Sequence, residues 1–541
     1  MAGMSGYPIV VLKEGHKRET GRDVQRKNIM AAIAVAEAVR STLGPKGMDK
    51  MMVDNTGDAV VTNDGATILW EMDIEHPVAK MIVEVAKAQD DEVGDGTTTA
   101  VIVAGELLKK AESLIDKGIH PTTIVMGYKQ AAARARSVLD KMAISVSGQD
   151  RQILTRIAQT AMTGKSIEGQ KESLSQICID AALAILEDGK VDVDNRIKIV
   201  KITGGRLADS NLNRGVVLEM ERVSNEMPRQ IKEARIALLD GTLELKKLGT
   251  DAKITISHPE SMMSFKKGEE AVLEEQVESL ARAGANVVFC QKGIGVAAQG
   301  MLARRGILAA RRVKDEDMKL LALATGGRIV GDAMQITPAD LGSAELVEER
   351  KVKKEKSMIF VEGCKNPRAV SIIVHGGSEV YLDEQERALH DALYVVGDVL
   401  TSGRIVAGGG AAEVEMAEDI RHYASTLSGR EQLAVTAFAE AIEAIPKVLA
   451  ENAGLDPVDI LVSLRSAHGS GQKNAGLDAS IGKSADMVEK GVVEPLRVKE
   501  QVLKSASEAA AMVLRVDDLI AAKREELKPK PGQSPHDYTM M

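Results

Sequence analysis

The chain has 541 residues, 44% of them apolar and 28% charged, and its 79 acidic against 70 basic side chains leave a formal charge of −9. That length exceeds what a single hydrophobic core usually supports and points to three or four domains, while the acidic balance argues against a general nucleic-acid binder. No signal-peptide pattern and no run of 18 apolar residues is found, so no membrane span is expected and the cytoplasm is the expected compartment.

Residues 21–43 read as a helix with an apolar face through Ile29, Ile33, Ala36 and Val39, stopped by Gly44-Pro45. Short β-rich runs at 51–53 and 59–62 suggest a hairpin, followed by a tight turn at Asn63-Asp64-Gly65. Residues 76–90, 97–115 and 121–142 are helical, so the Gly-Asp-Gly at 94–96 joins two helices. From 190 the composition changes. Strand-like runs at 190–203, 234–240, 253–258, 285–290, 307–313, 326–330, 357–362 and 369–376 alternate with helices at 269–283 and 314–324. Beyond 379 the pattern is helical again, at 379–400, 411–423, 431–452, 457–465 and 498–523, and the tail from 525 is rich in Pro, Gly and polar residues, which predicts disorder. The helical, mixed, helical order fits three domains in a row, or two helical arms closing into one domain around an insertion. The glycine and acid clusters favour the second.

Aromatic residues make up only 2% of the chain, so the cores must rest on Ala, Val, Ile and Leu, with 24 Met to fill irregular gaps. Cys178, Cys290 and Cys364 are far apart and form no C-x-x-C, which fits buried thiols in a reducing compartment.

The stretch DEVGDGTTTA at 91–100 carries the clearest chemistry. A threonine-rich helix start presents unpaired N–H groups and the positive end of the dipole, which can hold a phosphate without lysine. Gly94 and Gly96 let the backbone approach. Asp95 would repel a phosphate unless a divalent cation lay between them, which makes it a candidate Mg²⁺ ligand; an aspartate there also serves as an ordinary helix cap. Three more small-residue turns share this character: LGPKG at 43–47, NDGAT at 63–67 and GGGA at 408–411. Standard nucleotide motifs are missing. Thr163-Gly164-Lys165-Ser166 resembles the end of a P-loop, but Gln159 stands where its first glycine belongs. The nine histidines form no zinc motif, and Asp391, in a helical stretch, reads by itself as a solvated acid.

Taken together, GRDVQRKNI (21–29), LGPKGMD (43–49), TNDGATIL (62–69), DEVGDGTTTA (91–100), VVFCQKGI (287–294), AARRV (309–313), the glycine run ending at 410, SGREQLAV (428–435), ENAGLD (451–456) and GVVEPLRV (491–498) resemble the archaeal group II chaperonins, the thermosomes, over about residues 10–524. The resemblance implies a multidomain α and α/β chaperonin fold. A mainly helical equatorial ATP-binding domain would come from 1–150 and 401–524. A small α/β intermediate hinge domain would come from 151–221 and 370–400, with Gly204-Gly205 and Gly376-Gly377 as joints. An α/β apical domain would span 222–369, with a built-in lid protrusion near 249–275, and 525–541 would be a flexible tail. It further implies two stacked rings of identical or paralogous subunits, eight per ring, enclosing non-native proteins and folding them at the expense of ATP, with no nucleic-acid or membrane partner. ATP or ADP, Mg²⁺ and, as a further candidate, K⁺ are the implied cofactors. A ring-shaped holdase with weak ATPase and a small-substrate phosphotransferase are the competing functions.

Residue by residue, the resemblance places Leu43, Gly44 and Pro45 against the phosphates. Asp95 would be on Mg²⁺, and Gly96, Thr97, Thr98 and Thr99 on phosphate oxygens. Asp64 and Asp391 would position and activate the attacking water, and Lys165 would sense the terminal phosphate. Gly409 and Glu494 would flank the adenosine, with Glu494 on the ribose hydroxyls. Departures from the family pattern are the absence of a Gly-Gly-Met tail, Gly295-Val296 where relatives carry an acidic pair, and Trp70 at a usually polar position.

Overall fold

The computed structural model describes residues 17–53, 56–57, 59–148, 150–165, 167–244, 259–352, 357–365 and 367–521. The expected strand at 253–258 and the tail from 525 lie outside these residues, as does all of the stretch before Pro259 assigned to the lid.

Both ends of the chain build one helical core. Helices Arg22–Arg40, Pro77–Val93, Thr97–Asp116 and Pro121–Met142 pack with Ala411–Thr426, Glu431–Ile442 and Leu496–Leu514. A single cluster of buried side chains runs from Ile29 to Leu139 and resumes from Val406 to Leu514. Small residues let these helices approach closely: Gly105 faces Ala36, and Gly127 faces Ala434. Strand Lys17–Thr20 pairs antiparallel with Asp518–Ala521, so the two arms are also stitched at their ends. The expected hairpin is present, with Lys50 opposite Thr62 and Val53 opposite Ala59.

Several boundaries differ from expectation. The first helix stops at Arg40, not Leu43, where the Thr42 hydroxyl donates to the Val39 carbonyl at 2.8 Å. The 431–452 stretch divides at Glu443, whose fully buried carboxylate accepts from Arg421 and Arg465. The last helix ends at Leu514, and part of the remainder is the strand that pairs with the N-terminal segment. The 190–203 run begins as a helical turn, Val193–Arg196, before strand Ile197–Thr203.

A second core joins helices Arg151–Met162, Lys171–Ile185 and Glu379–Ser402 to a three-stranded sheet. Its middle strand, Val370–Gly376, runs parallel to Ile197–Thr203 and antiparallel to Asn211–Asn213. The two glycine joints meet here: the Gly204 N–H donates to the Gly376 carbonyl at 2.7 Å.

Residues from about 216 to 369 form the largest sheet among the described residues, seven strands with a hydrophobic cluster on each face. Leu308–Arg311, Val287–Cys290 and Gln230–Leu239 are parallel neighbours. Gly342–Lys351 pairs antiparallel beside the last of these, and Ser357–Glu362 pairs antiparallel beside it in turn. The Gly342–Lys351 strand was not expected, because its charged GSAELVEERK carries little β signal. Helix Val296–Arg304 was also missed; it puts Val296 at 83% exposure. All three cysteines are free and buried. No described helix is long and apolar enough to cross a membrane.

Candidate functional site

Helix Pro77–Val93 ends on Gly94 in the left-handed region (φ 64°), and Thr97–Asp116 starts after Gly96, also left-handed (φ 78°). Only glycine takes both positions without strain, and the two bends turn the chain back within three residues. Between them, Asp95 Oδ1 accepts from the Gly96 N–H at 2.7 Å. Gln89 Nε2 donates to the Asp95 carbonyl at 2.8 Å, which fixes the loop from below. Thr97, Thr98 and Thr99 form the first turn of the second helix, so its unpaired N–H groups open onto this loop.

Asp64 is not in a free turn, as expected, but caps helix Gly65–Glu71. Its Oδ2 accepts from the Thr67 N–H at 2.8 Å and the Thr67 hydroxyl at 2.7 Å, and its Oδ1 from the Thr97 hydroxyl at 3.3 Å. Two helix N-termini therefore converge on one place. The turn with Leu43, Gly44 and Pro45 lies alongside. Asn452 Nδ2 donates to the Leu43 carbonyl at 2.9 Å, and a Cβ on Gly164 would sit 2.9 Å from the Gly44 carbonyl oxygen. The Asn63 side chain donates to the Gly164 carbonyl at 2.8 Å. Thr163–Lys165 thus follows a helix rather than a strand, and Gly164 is pressed onto the glycine turn of the helical core.

The next residue, Lys165, reaches across to Asp391 on helix Glu379–Ser402 and forms a direct ion pair with it. Read from its own stretch, Asp391 was a solvated acid; instead it is 8% exposed. Burial pushes its carboxyl up, the Lys165 ammonium pulls it down, and Asp64 and Asp95 push it up again, with a net position well above the ordinary aspartate. Burial pulls the Lys165 ammonium down, but Asp391, Asp95 and Asp64 outweigh it and hold the proton on. The four side chains, from four separate parts of the chain, thus lie within electrostatic reach of one another, with Lys165 and Asp391 in direct contact.

Sequence reasoning missed three participants. Asp90 is one turn before Gly94, and burial together with Asp64 raises its carboxyl to about 6. Tyr394, one turn after Asp391, lays its ring against Gly94 and donates its hydroxyl to Asp194, whose other oxygen lies 3.2 Å from His390 Nε2. Gln89 is the third. Helical spacing from Asp391 and Asp95 was the available signal for Tyr394 and Asp90. Around the cluster the acids outnumber the lysine, yet no three His, Cys, Asp or Glu side chains among the described residues form a metal cage by themselves.

The adenosine candidates sit at the other end. The Gly409 carbonyl accepts from the Leu477 N–H at 2.8 Å, and Gly410 begins helix Ala411–Thr426. Glu494 is on strand Val493–Pro495, opposite Val406. The two ends are continuous: a Cβ on Gly96 would lie 2.9 Å from a Val498 methyl, and Asp95 contributes to the raised position of the Glu494 carboxyl after burial and Glu413.

Residues 35–524 match the TCP-1/cpn60 chaperonin family. The chain is 56% identical to "Thermosome subunit alpha" of Archaeoglobus fulgidus over 539 residues, covering 99% of this chain and 98% of that protein. It is 55% identical to "Thermosome subunit" of Pyrococcus abyssi over 537 residues, 98% and 97% of the two chains. It is also 55% identical to "Thermosome subunit" of Methanopyrus kandleri over 526 residues, 97% and 96%. With a match of this extent laid over one core drawn from both ends and a second core carrying Lys165 and Asp391, the chain belongs to the TCP-1/cpn60 chaperonin family.

Proposed function

We propose that this chaperonin subunit hydrolyses Mg·ATP at the Asp64–Asp95–Lys165–Asp391 cluster and uses the cycle to close a folding chamber over non-native proteins. Family membership makes it an ATP-dependent chaperone of multi-subunit ring assemblies. The observation that carries the finer reading is the burial of Asp391 against Lys165 beside two helix starts, because taking two charges out of water costs free energy that their attraction does little more than offset. A buried ion pair of this kind is seldom kept for stability alone.

The residues suggest a division of labour. The first turn of helix Thr97–Asp116 would offer N–H groups and hydroxyls to phosphate oxygens, and the Leu43–Gly44–Pro45 turn the Gly44 N–H. Asp95 and Asp64 are the acids that would hold Mg²⁺, together with the phosphates that arrive with it. The excess of carboxylates over ammonium suits a dication, and Mg²⁺ normally takes one or two protein carboxylates and completes its shell with phosphate and water. When bound, the ion supplies charge neutralisation on the phosphoryl group. Asp391, with its proton affinity raised by burial, is suited to take a proton from water. A terminal phosphate would compete with Asp391 for Lys165 and free that carboxylate for its task. Lys165 and Asp391 belong to the second core, whereas Asp64 and Asp95 lie at the edge of the first. Completing the site therefore requires the two cores to sit in one relative position, and ATP use becomes tied to domain posture.

The same reading divides the chain into an equatorial domain (1–150 and 401–524), an intermediate domain (151–221 and 370–400) and an apical domain (222–369). It takes 249–275 as the lid, eight subunits per ring in two rings, the cytoplasm as the compartment, and K⁺ as a second cation to test. Steady-state ATP turnover with and without Mg²⁺ and K⁺, refolding of a denatured enzyme, and electron micrographs with and without ATP test it together. Mg²⁺-dependent turnover, ATP-dependent recovery and closed eightfold double rings are expected. Recovery no greater with ATP than without it defeats the folding-chamber reading.

A further inference from the structure

A second buried lysine lies at the adenosine end. Lys499, on the first turn of helix Leu496–Leu514, places its ammonium 2.8 Å from Glu413 Oε1 and 2.8 Å from Glu494 Oε2. Lys499 is 5% and Glu413 3% exposed. Two acids and one base share the site, and Glu413 Oε2 is buried with no hydrogen-bond partner. For stability alone this is a poor arrangement, since an apolar side chain of similar volume would usually serve as well.

What the ammonium does that an apolar group cannot is fix a carboxylate. The Glu494 backbone is held in the strand pair with Val406, and one oxygen of its side chain is taken by Lys499. The other, Oε1, leans on the glycine run: a Cβ on Gly408 would lie 2.8 Å from it. The carboxylate is therefore pinned at one oxygen and directed with the other against the 408–410 loop. Without the ammonium, Oε2 would lose its partner and the side chain the contact that fixes its direction.

We propose that Lys499, anchored by Glu413, is a positioning residue that keeps the Glu494 side chain aimed at the hydroxyls of the bound nucleoside, and so sets the selectivity for ribonucleotides. This rests on the placement of the nucleoside at Gly409 and Glu494 proposed above. Lys499 does not touch the nucleotide; it acts through Glu494, and Glu413 acts through Lys499.

Calorimetric titration of the assembled full-length protein with ATP, 2′-deoxy-ATP and 3′-deoxy-ATP tests this, with thermal melts to follow folding. The unaltered protein is expected to prefer ATP. Glu494→Ala and Lys499→Met are each expected to reduce that preference about tenfold, as loss of a hydrogen bond to a charged group does, with the deoxynucleotides bound nearly as before. If Glu494→Ala reduces the preference and Lys499→Met leaves it intact, or weakens all three nucleotides equally, the positioning role is overturned while the nucleoside site stands. If Glu494→Ala changes nothing, the nucleoside site itself is misplaced and the inference goes with it. Should Lys499→Met fail to assemble, Glu413→Gln keeps the packing and the ammonium; an expected loss of preference of about threefold supports the role, and an unchanged preference overturns it.

Discussion

Lys165 and Lys499 are both buried and both paired with carboxylates, yet they sit in opposite kinds of place. Lys499 is closed in by elements of one core, helices Ala411–Thr426 and Leu496–Leu514 and the strand between their starts. Lys165 and Asp391, 226 residues apart, both belong to the second core, and their pair lies where the loop of Lys165 is pressed on the first. Acids without a counter-cation, Asp64 and Asp95, lie beside it. A pair enclosed in one rigid body can orient a neighbour but cannot respond to movement. A pair at the edge between two bodies, among spare acids, can exchange partners when a phosphate and a cation arrive. The contrast separates a fixed end of the site from a responsive one.

The strongest test of the responsive end is Asp391→Asn, which keeps the shape and removes the base. Turnover is expected to fall about 10²–10⁴-fold while ATP affinity measured by titration stays within about threefold; near-normal turnover would remove Asp391 from the chemistry. Asp95→Asn comes next. The Mg²⁺ concentration giving half-maximal turnover is expected to rise about 10–100-fold, and an unchanged Mg²⁺ titration breaks the assignment of that acid to the metal. Lys165→Met sharpens the comparison through pH. The ammonium lowers the Asp391 carboxyl, so its loss raises that carboxyl further. A base must be deprotonated to act, so the acid limb of the turnover profile is expected to move to higher pH; an unmoved limb means that Lys165 and Asp391 do not act as a pair.

The smallest effect concerns stability. Asp90 has its carboxyl raised to about 6, first by burial and then by Asp64. A folded-state value above the unfolded one makes the acid's contribution most favourable below about pH 4 and progressively lost as pH climbs to about 6. Asp90→Asn should therefore stabilise the protein at pH 8 by on the order of 1 kcal/mol, after allowing for the partial exposure of this group. The difference in melting temperature should shrink towards pH 4. A difference independent of pH would mean that ionisation of Asp90 is not its source.

Much of the helical framework was legible locally. Helix Pro121–Met142 begins and ends where proline and the periodicity put it, and the Gly94 stop and Thr97 start were readable from residue type. The hairpin of Lys50–Val53 and Ala59–Thr62 was readable from two short β-rich runs on either side of a turn. What was lost depended on distant partners. Gly342–Lys351 is a strand because Gln230–Leu239 and Ser357–Glu362 flank it, not because of its own composition. The Glu443 break coincides with two arginines from other helices. Asp391 looked like a surface acid because nothing within its own helix reveals that Lys165 covers it.

The sequence by itself determined which segments could be helices, where glycines free the backbone to receive an anion, and which acids were candidates for a cation, since these depend on residues a few positions apart. The tertiary structure alone decided which acids are buried and which lysine each one faces. Electrostatics in a desolvated site depends on distances of a few ångströms between residues hundreds of positions apart, and only packing of the cores sets those distances.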